Sequence, residues 1–302
     1  MNRTELRTAT AKYGKYLAST GKSTATISNY GRVLKYFADF VGSNGIDEID
    51  TMTVDDFRSM ICEKASVNTA KQYLVTLHAF FKWCEVKKLI SGNPVAPGDI
   101  PKGEPIEYDL LSLEEIEQLR NELEQPLKNP TANKIKNRAI MSILFYSGVR
   151  NDELRSICPK DLDYENGVIK IRHGKGNKYR EVPFPEQAQT AVKFYCENIR
   201  PTYLADNEVL FGNLRNVKEW SKLTTTAIYS LCKRYIEKVT GHTGIGAHDI
   251  RHAFASFVSY AGVPTRTISL AMGHSSERIT EQRYISILDG SAAPKVINSI
   301  FA

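Results

Sequence analysis

The sequence is short of the features that define several large protein classes. Its five cysteines, Cys62, Cys84, Cys158, Cys196 and Cys232, are odd in number, and no pair has CxxC spacing. Neither a zinc knuckle nor a disulfide framework is suggested, and scattered thiols fit a reducing cytoplasm. No stretch approaches the roughly 18 consecutive apolar residues of a membrane span. The opening residues MNRTELRTAT lack the apolar core of a secretion signal. The expectation is therefore a cytoplasmic chain with no membrane partner. Proline and glycine number only 12 and 19, so disorder is not the default. No internal repeat is visible, and no carboxylate cluster offers a metal site.

What is present is an ordinary globular composition, 42% hydrophobic and 25% charged, over 302 residues, enough for two domains. The net charge of +6 is mild, but its placement is uneven. Residues 1–35 carry Arg3, Arg7, Lys12, Lys15, Lys22, Arg32 and Lys35 against the single acid Glu5, which equals the whole excess. Such a segment suits phosphates, though a solvated helix face has the same composition.

The first part reads as helices. Ser23 and Thr24 offer an N-cap. Ile27, Tyr30, Leu34, Phe37 and Val41 recur at helical spacing, and Gly42 follows as a stop. Thr53 with Asp56 suggests a cap for a short helix. A third helix is expected from about Asn68 to Lys88. Residues 93–107 are dense in proline and glycine and read as a linker between a first domain, 1–92, and a second, 108–302. Ser112 and Glu115 form a capping-box pattern. Residues 138–146 (RAIMSILFY) are apolar nearly all round, as in a buried helix that stops at Ser147-Gly148. Residues 167–184 read as two β segments around a glycine turn, and the pattern is helical again from about 187. The fold class expected is mainly α with one small antiparallel sheet.

Several residues suit phosphate chemistry. Arg150 follows directly on the buried helix and is held by a core element, with Glu153 three residues on. Read alone, the two make an ordinary helix-surface pair. Lys175 lies between glycines at the tip of the expected hairpin, where an exposed turn lysine is the plainer reading. His248 and Arg251 share one helix face, and both can donate to phosphate oxygens. His252 lies off that face and suits packing. Gly273 ends a helix expected over 264–272, and His274 follows it. Tyr284 is one of 15 tyrosines. As an ordered set these residues describe one reaction. The arginines and a histidine would neutralise a phosphodiester's developing charge, Tyr284 would attack it, and Lys175 would protonate the leaving oxygen. The scheme needs no metal and no cofactor.

The ordered motifs SGVRNDEL, HGKGNKYREVP, HDIRHAFAS, MGHSS and Tyr284 resemble the tyrosine recombinase (integrase) family across essentially the whole chain. SGVR stands where TGLR is commoner, and His274 and Tyr284 are ten apart against nine in many Xer-type members. The resemblance implies a SAM-like helical core-binding domain followed by a catalytic domain of the DNA breaking-rejoining type. It implies that Arg150, Arg251 and His248 bind the scissile phosphate, assisted by His274. Lys175 is then the general acid, Tyr284 the nucleophile, and Glu153 the support of the first arginine. It further implies a double-stranded DNA recombination site as partner and a homotetramer of two dimers in the synapse, with room for an accessory DNA-bending protein. With no arm-binding segment in view, a compact Xer-like recombinase is expected. The tail APKVINSIFA, with Val296, Ile297, Ile300 and Phe301 at helical spacing, would dock on a neighbouring protomer or close its own domain. Amide and basic side chains at Asn68, Lys71, Gln72, Thr225, Lys233 and Arg234 are the expected DNA readers. Two other readings share these residues: a DNA-relaxing enzyme of the type IB topoisomerase kind, and a silent DNA-binding regulator.

Overall fold

The computed structural model describes residues 5–42, 45–104, 110–172, 179–204, 209–214 and 221–273. The chain divides into two units, 1–107 and 108–302.

In the first unit, four helices are cut by their capping residues: α1 (Leu6–Ser19), α2 (Thr24–Val41), α3 (Thr51–Lys64) and α4 (Val67–Val86). Ser23 caps α2 by accepting from the Thr26 amide, and Gly42 ends it, as the sequence predicts. The cap of α3 is one turn earlier than the Thr53–Asp56 reading. Asp50 accepts from both the amide and the hydroxyl of Thr53, because a carboxylate satisfies two donors at once. Ser66 caps α4. The unit closes on one apolar core in which α1 contributes Leu6, Tyr13 and Leu17, and α4 contributes Leu77, Phe80 and Phe81. Phe57 of α3 meets Phe37 of α2 edge-on, centroids 4.9 Å apart.

The second unit is built round α6 (Ala132–Ser147), which buries Ile135, Ala139, Ile140, Met141, Ile143, Leu144 and Phe145. A helix apolar on every side needs cover on every side. It is packed by α5 (Leu113–Glu124), α8 (Glu186–Asn198) and α11 (Ala247–Tyr260). The capping box of α5 forms as expected, with Ser112 Oγ accepting from Glu115 and Glu115 accepting from the Ser112 amide. Short helices α7 (Asn151–Leu154) and α9 (Arg200–Leu204) and two further helices, α10 (Thr225–Thr240) and α12 (Thr265–Met272), complete the helical set among the described residues.

The sheet has three antiparallel strands in the order β1 (Leu162–Asp163), β2 (Val168–Ile171), β3 (Arg180–Pro183). Ile169 pairs with Val182 and Ile171 with Arg180. The inward positions are therefore Ile169, Ile171 and Val182, which are buried, and Arg180 lies on the same face as Val182. Two β segments were expected. The third, β1, spans two residues, too few to show an alternation.

Candidate active site

Two backbone features bring the sequence-predicted residues together. Helix α6 ends at Gly148 in the left-handed region, φ 58°. A Cβ at that glycine would overlap the Phe254 ring, so only glycine fits this turn. The chain then runs through Arg150 into α7. Helix α12 likewise ends at a left-handed glycine, Gly273, φ 62°.

The last carbonyls of α12 have no partner inside the helix, and they carry the negative end of its dipole. Three successive carbonyls are each held by a different arginine. Arg180 Nε donates to Ala271 at 3.0 Å. Arg251 Nη2 donates to Met272, and Arg150 Nη2 donates to Gly273 at 2.6 Å. Arg251 also donates to the Gly148 carbonyl. It is 2% exposed, buried by α11 among core residues.

One carboxylate serves this cluster. Glu153 accepts from the Arg150 amide at 2.8 Å and from Arg150 Nη1 at 2.9 Å. It also accepts both ends of the Arg180 fork at 2.7 Å. Its side chain is 3% exposed, against 25% for Arg150 and 13% for Arg180. Burial alone would raise the Glu153 carboxyl. The Arg180 and Arg150 hydrogen bonds and the Arg180 charge outweigh that and hold it down at about 2. Arg150 and Glu153 do pair, but in the interior rather than on a helix surface.

Arg150, His248 and Arg251 line one cleft of about 400 Å³, with Asn151, Thr225, Thr226 and Tyr229 also on its walls. His248 is exposed. The buried His252 stands beside it, ring centroids 4.6 Å apart and nearly perpendicular. The start of α10 is tied to α7: Arg155 donates to the Leu223 carbonyl at 2.6 Å and to Thr225 Oγ1 at 3.1 Å, and Asn151 donates to the Thr225 carbonyl at 3.2 Å. Lys175, His274, Tyr284 and the tail from Val296 to Phe301 lie outside the described residues.

Residues 110–290, more than half of the chain, match the phage integrase family model. The chain belongs to this family. Residues 11–90 match the family's N-terminal SAM-like domain. Tyrosine recombinase XerC of Syntrophus aciditrophicus is 31% identical over 225 residues, 72% of this chain and 69% of that protein. XerC of Oceanobacillus iheyensis is 28% identical over 266 residues, 85% of this chain and 84% of that protein. Among solved structures, the Tn1549 transposon integrase in complex with circular intermediate DNA has a TM-score of 0.71 at 20% identity, covering 93% of this chain and 95% of that one. The recombinase XerH bound to palindromic difH substrate has a TM-score of 0.69 at 22% identity, covering 91% and 80%. Mainly helical architecture with a small antiparallel sheet is thus the integrase-family fold. Tyrosine recombinases are DNA strand-exchange enzymes.

Within this family frame, sequence reasoning overlooked Arg180. The signal was available: an arginine two residues before the buried Val182 lies on the core face of a strand, where a charge needs a partner. Of the expected DNA readers, Lys71, Gln72, Thr225, Lys233 and Arg234 are exposed. Asn68 is half-buried and donates to the Glu104 carbonyl at 3.1 Å. No group of His, Cys, Asp or Glu among the described residues could hold a metal ion, and no described helix is long and apolar enough to cross a membrane.

Proposed function

We propose that the protein is a site-specific recombinase that cleaves and rejoins duplex DNA through a 3′-phosphotyrosyl bond on Tyr284. The observation that carries this reading is the cleft shared by Arg150, His248 and Arg251, with Arg150 held by Glu153 and the Gly273 carbonyl and Arg251 by the carbonyls of Gly148 and Met272. Such fixed donors stabilise charge as it develops and need no reorganisation during reaction. Two non-bridging phosphate oxygens between Arg150 and Arg251 match what the cleft offers, and His248 adds a third donor. The Tyr284 phenol gives its proton to solvent as its oxygen attacks phosphorus. The 5′ oxygen leaves with a proton from Lys175, and the phosphotyrosyl link conserves the bond for rejoining. His274 assists phosphate binding.

In this reading residues 1–92 grip the core site, 93–107 link, and 108–302 catalyse. Duplex DNA is the substrate, and two dimers form the working tetramer in the cytoplasm, with a DNA-bending protein as accessory. Lys71 and Gln72 on α4 and Lys233 and Arg234 on α10 read the site, with Asn68 and Thr225 at its margins.

The test is a trapped covalent intermediate. Suicide DNA from the locus that encodes the protein, nicked or phosphorothiolate-modified, is incubated with the parent and with Tyr284→Phe. A protein–DNA adduct in the parent alone is expected on a denaturing gel. A bound site with no adduct would overturn the reading in favour of a silent DNA-binding protein. Relaxation of supercoils by monomers at random sequences would favour the topoisomerase.

A further inference from the structure

We propose that Arg180 is a positioning residue for cleavage, holding Glu153 so that Arg150 faces the scissile phosphate with its positive charge unspent. The inference rests on the reading above and deepens it. Arg180 starts β3, the strand that leaves the segment bearing Lys175, and its side chain turns toward the core face. All three guanidinium nitrogens are committed: Nη1 and Nη2 to Glu153 at 2.7 Å each, Nε to the Ala271 carbonyl at 3.0 Å. A Cβ on Gly273 would stand 3.0 Å from Arg180 Cδ, so the turn before His274 is packed directly on this side chain.

The charge arithmetic makes Arg180 more than a strut. Glu153 faces Arg150, just before α7, and Arg180, on β3, while the end of α12 presents carbonyls to Arg150, Arg180 and, from α11, Arg251. With Arg180 present, one carboxylate is divided between two guanidinium groups, and Arg150, Arg180 and Glu153 together keep a net positive charge beside the cleft. Without it, Glu153 and Arg150 form a closed neutral pair, and Arg150 loses attraction for a phosphate. A carboxylate that holds a substrate-binding arginine is itself held in the same way that outer partners hold metal ligands, and losing such partners costs about 10- to 100-fold in activity.

The experiment follows Tyr284 adduct formation on suicide DNA with Arg180→Gln and Arg180→Lys, alongside DNA affinity and thermal melting. Arg180→Gln is expected to slow adduct formation about 10- to 100-fold while site affinity changes far less, and Arg180→Lys, which restores the charge without the fork, recovers part of the rate. In Arg180→Gln the Glu153 carboxyl loses its main partner and takes up a proton more easily. Protonation of Glu153 releases Arg150 from the neutral pair, so the residual rate should rise as pH drops from neutral toward 5, a limb absent from the parent and absent again when Glu153→Gln is added. A parental rate in Arg180→Gln overturns the proposal. So does a loss of rate that is the same at every pH and tracks the loss of melting temperature. Should Arg180→Gln not fold, the pH limb and partial rate are read on Arg180→Lys, and a parental profile there has the same force. Failure of the parent to form an adduct would sink the underlying function instead.

Discussion

Glu153→Gln removes one negative charge from the buried arginine cluster and keeps its shape, so its effect can be worked from the structure. The Glu153 carboxyl sits at about 2 against an ordinary 4.5. At about 1.4 kcal/mol per pH unit, that gap corresponds to about 3 kcal/mol of stability at neutral pH. The folded-state value is the depressed one. The stabilisation is therefore complete above pH 4.5 and disappears as pH falls toward 2. By pH 3, about 2 kcal/mol of it should be gone. In the variant the contribution is missing at every pH, and an amide NH2 faces a guanidinium donor. Urea unfolding of parent and variant, repeated from pH 7 to pH 3, measures the difference. A gap of about 3 kcal/mol at pH 7, narrowing to about 1 kcal/mol at pH 3, is expected. For a unit of this size the neutral-pH gap is a melting-temperature drop of roughly 6–12 °C. A gap that stays constant down to pH 3, or none at pH 7, would show that the two arginines do not hold this carboxylate as the distances imply.

Two further perturbations test other parts of the argument. Gly148→Ala forces a side chain into a left-handed turn and onto the Phe254 ring. It should cost about 2–4 kcal/mol and reduce adduct formation, because the Gly148 carbonyl that holds Arg251 must move; a parental melting curve would refute it. Site binding should weaken about a hundredfold or more between 50 and 200 mM salt, measured by gel shift or anisotropy; a flat response would argue against a DNA clamp built on phosphate contacts.

The helix boundaries were the most legible part of the sequence. Ser23, Gly42, Ser112, Gly148 and Gly273 mark ends through side-chain oxygens or left-handed backbone, and those are local properties. Helix α1 passed unnoticed because its buried positions, Leu6, Ala9, Tyr13 and Leu17, include a small and an amphipathic residue among threonines and lysines. Arg150, Glu153, His248 and Arg251 could be singled out from their attachment to core elements. The carbonyl partners of Arg150, Arg180 and Arg251 could not, because they lie at the end of a helix far along the chain, and no local pattern announces them.

That helix end also sets a folding order. Arg150 reaches Gly273 across 123 residues, Arg180 reaches Ala271 across 91, and Arg251 reaches Gly148 across 103. Loops of that length close late, after local helices have formed. The two cleft arginines are therefore not side by side until nearly the whole second unit has assembled. A half-folded chain holds every reactive residue and still has no site in which to use them. For a DNA strand-exchange enzyme, a site that is complete only when the fold is finished is a safeguard written into chain topology.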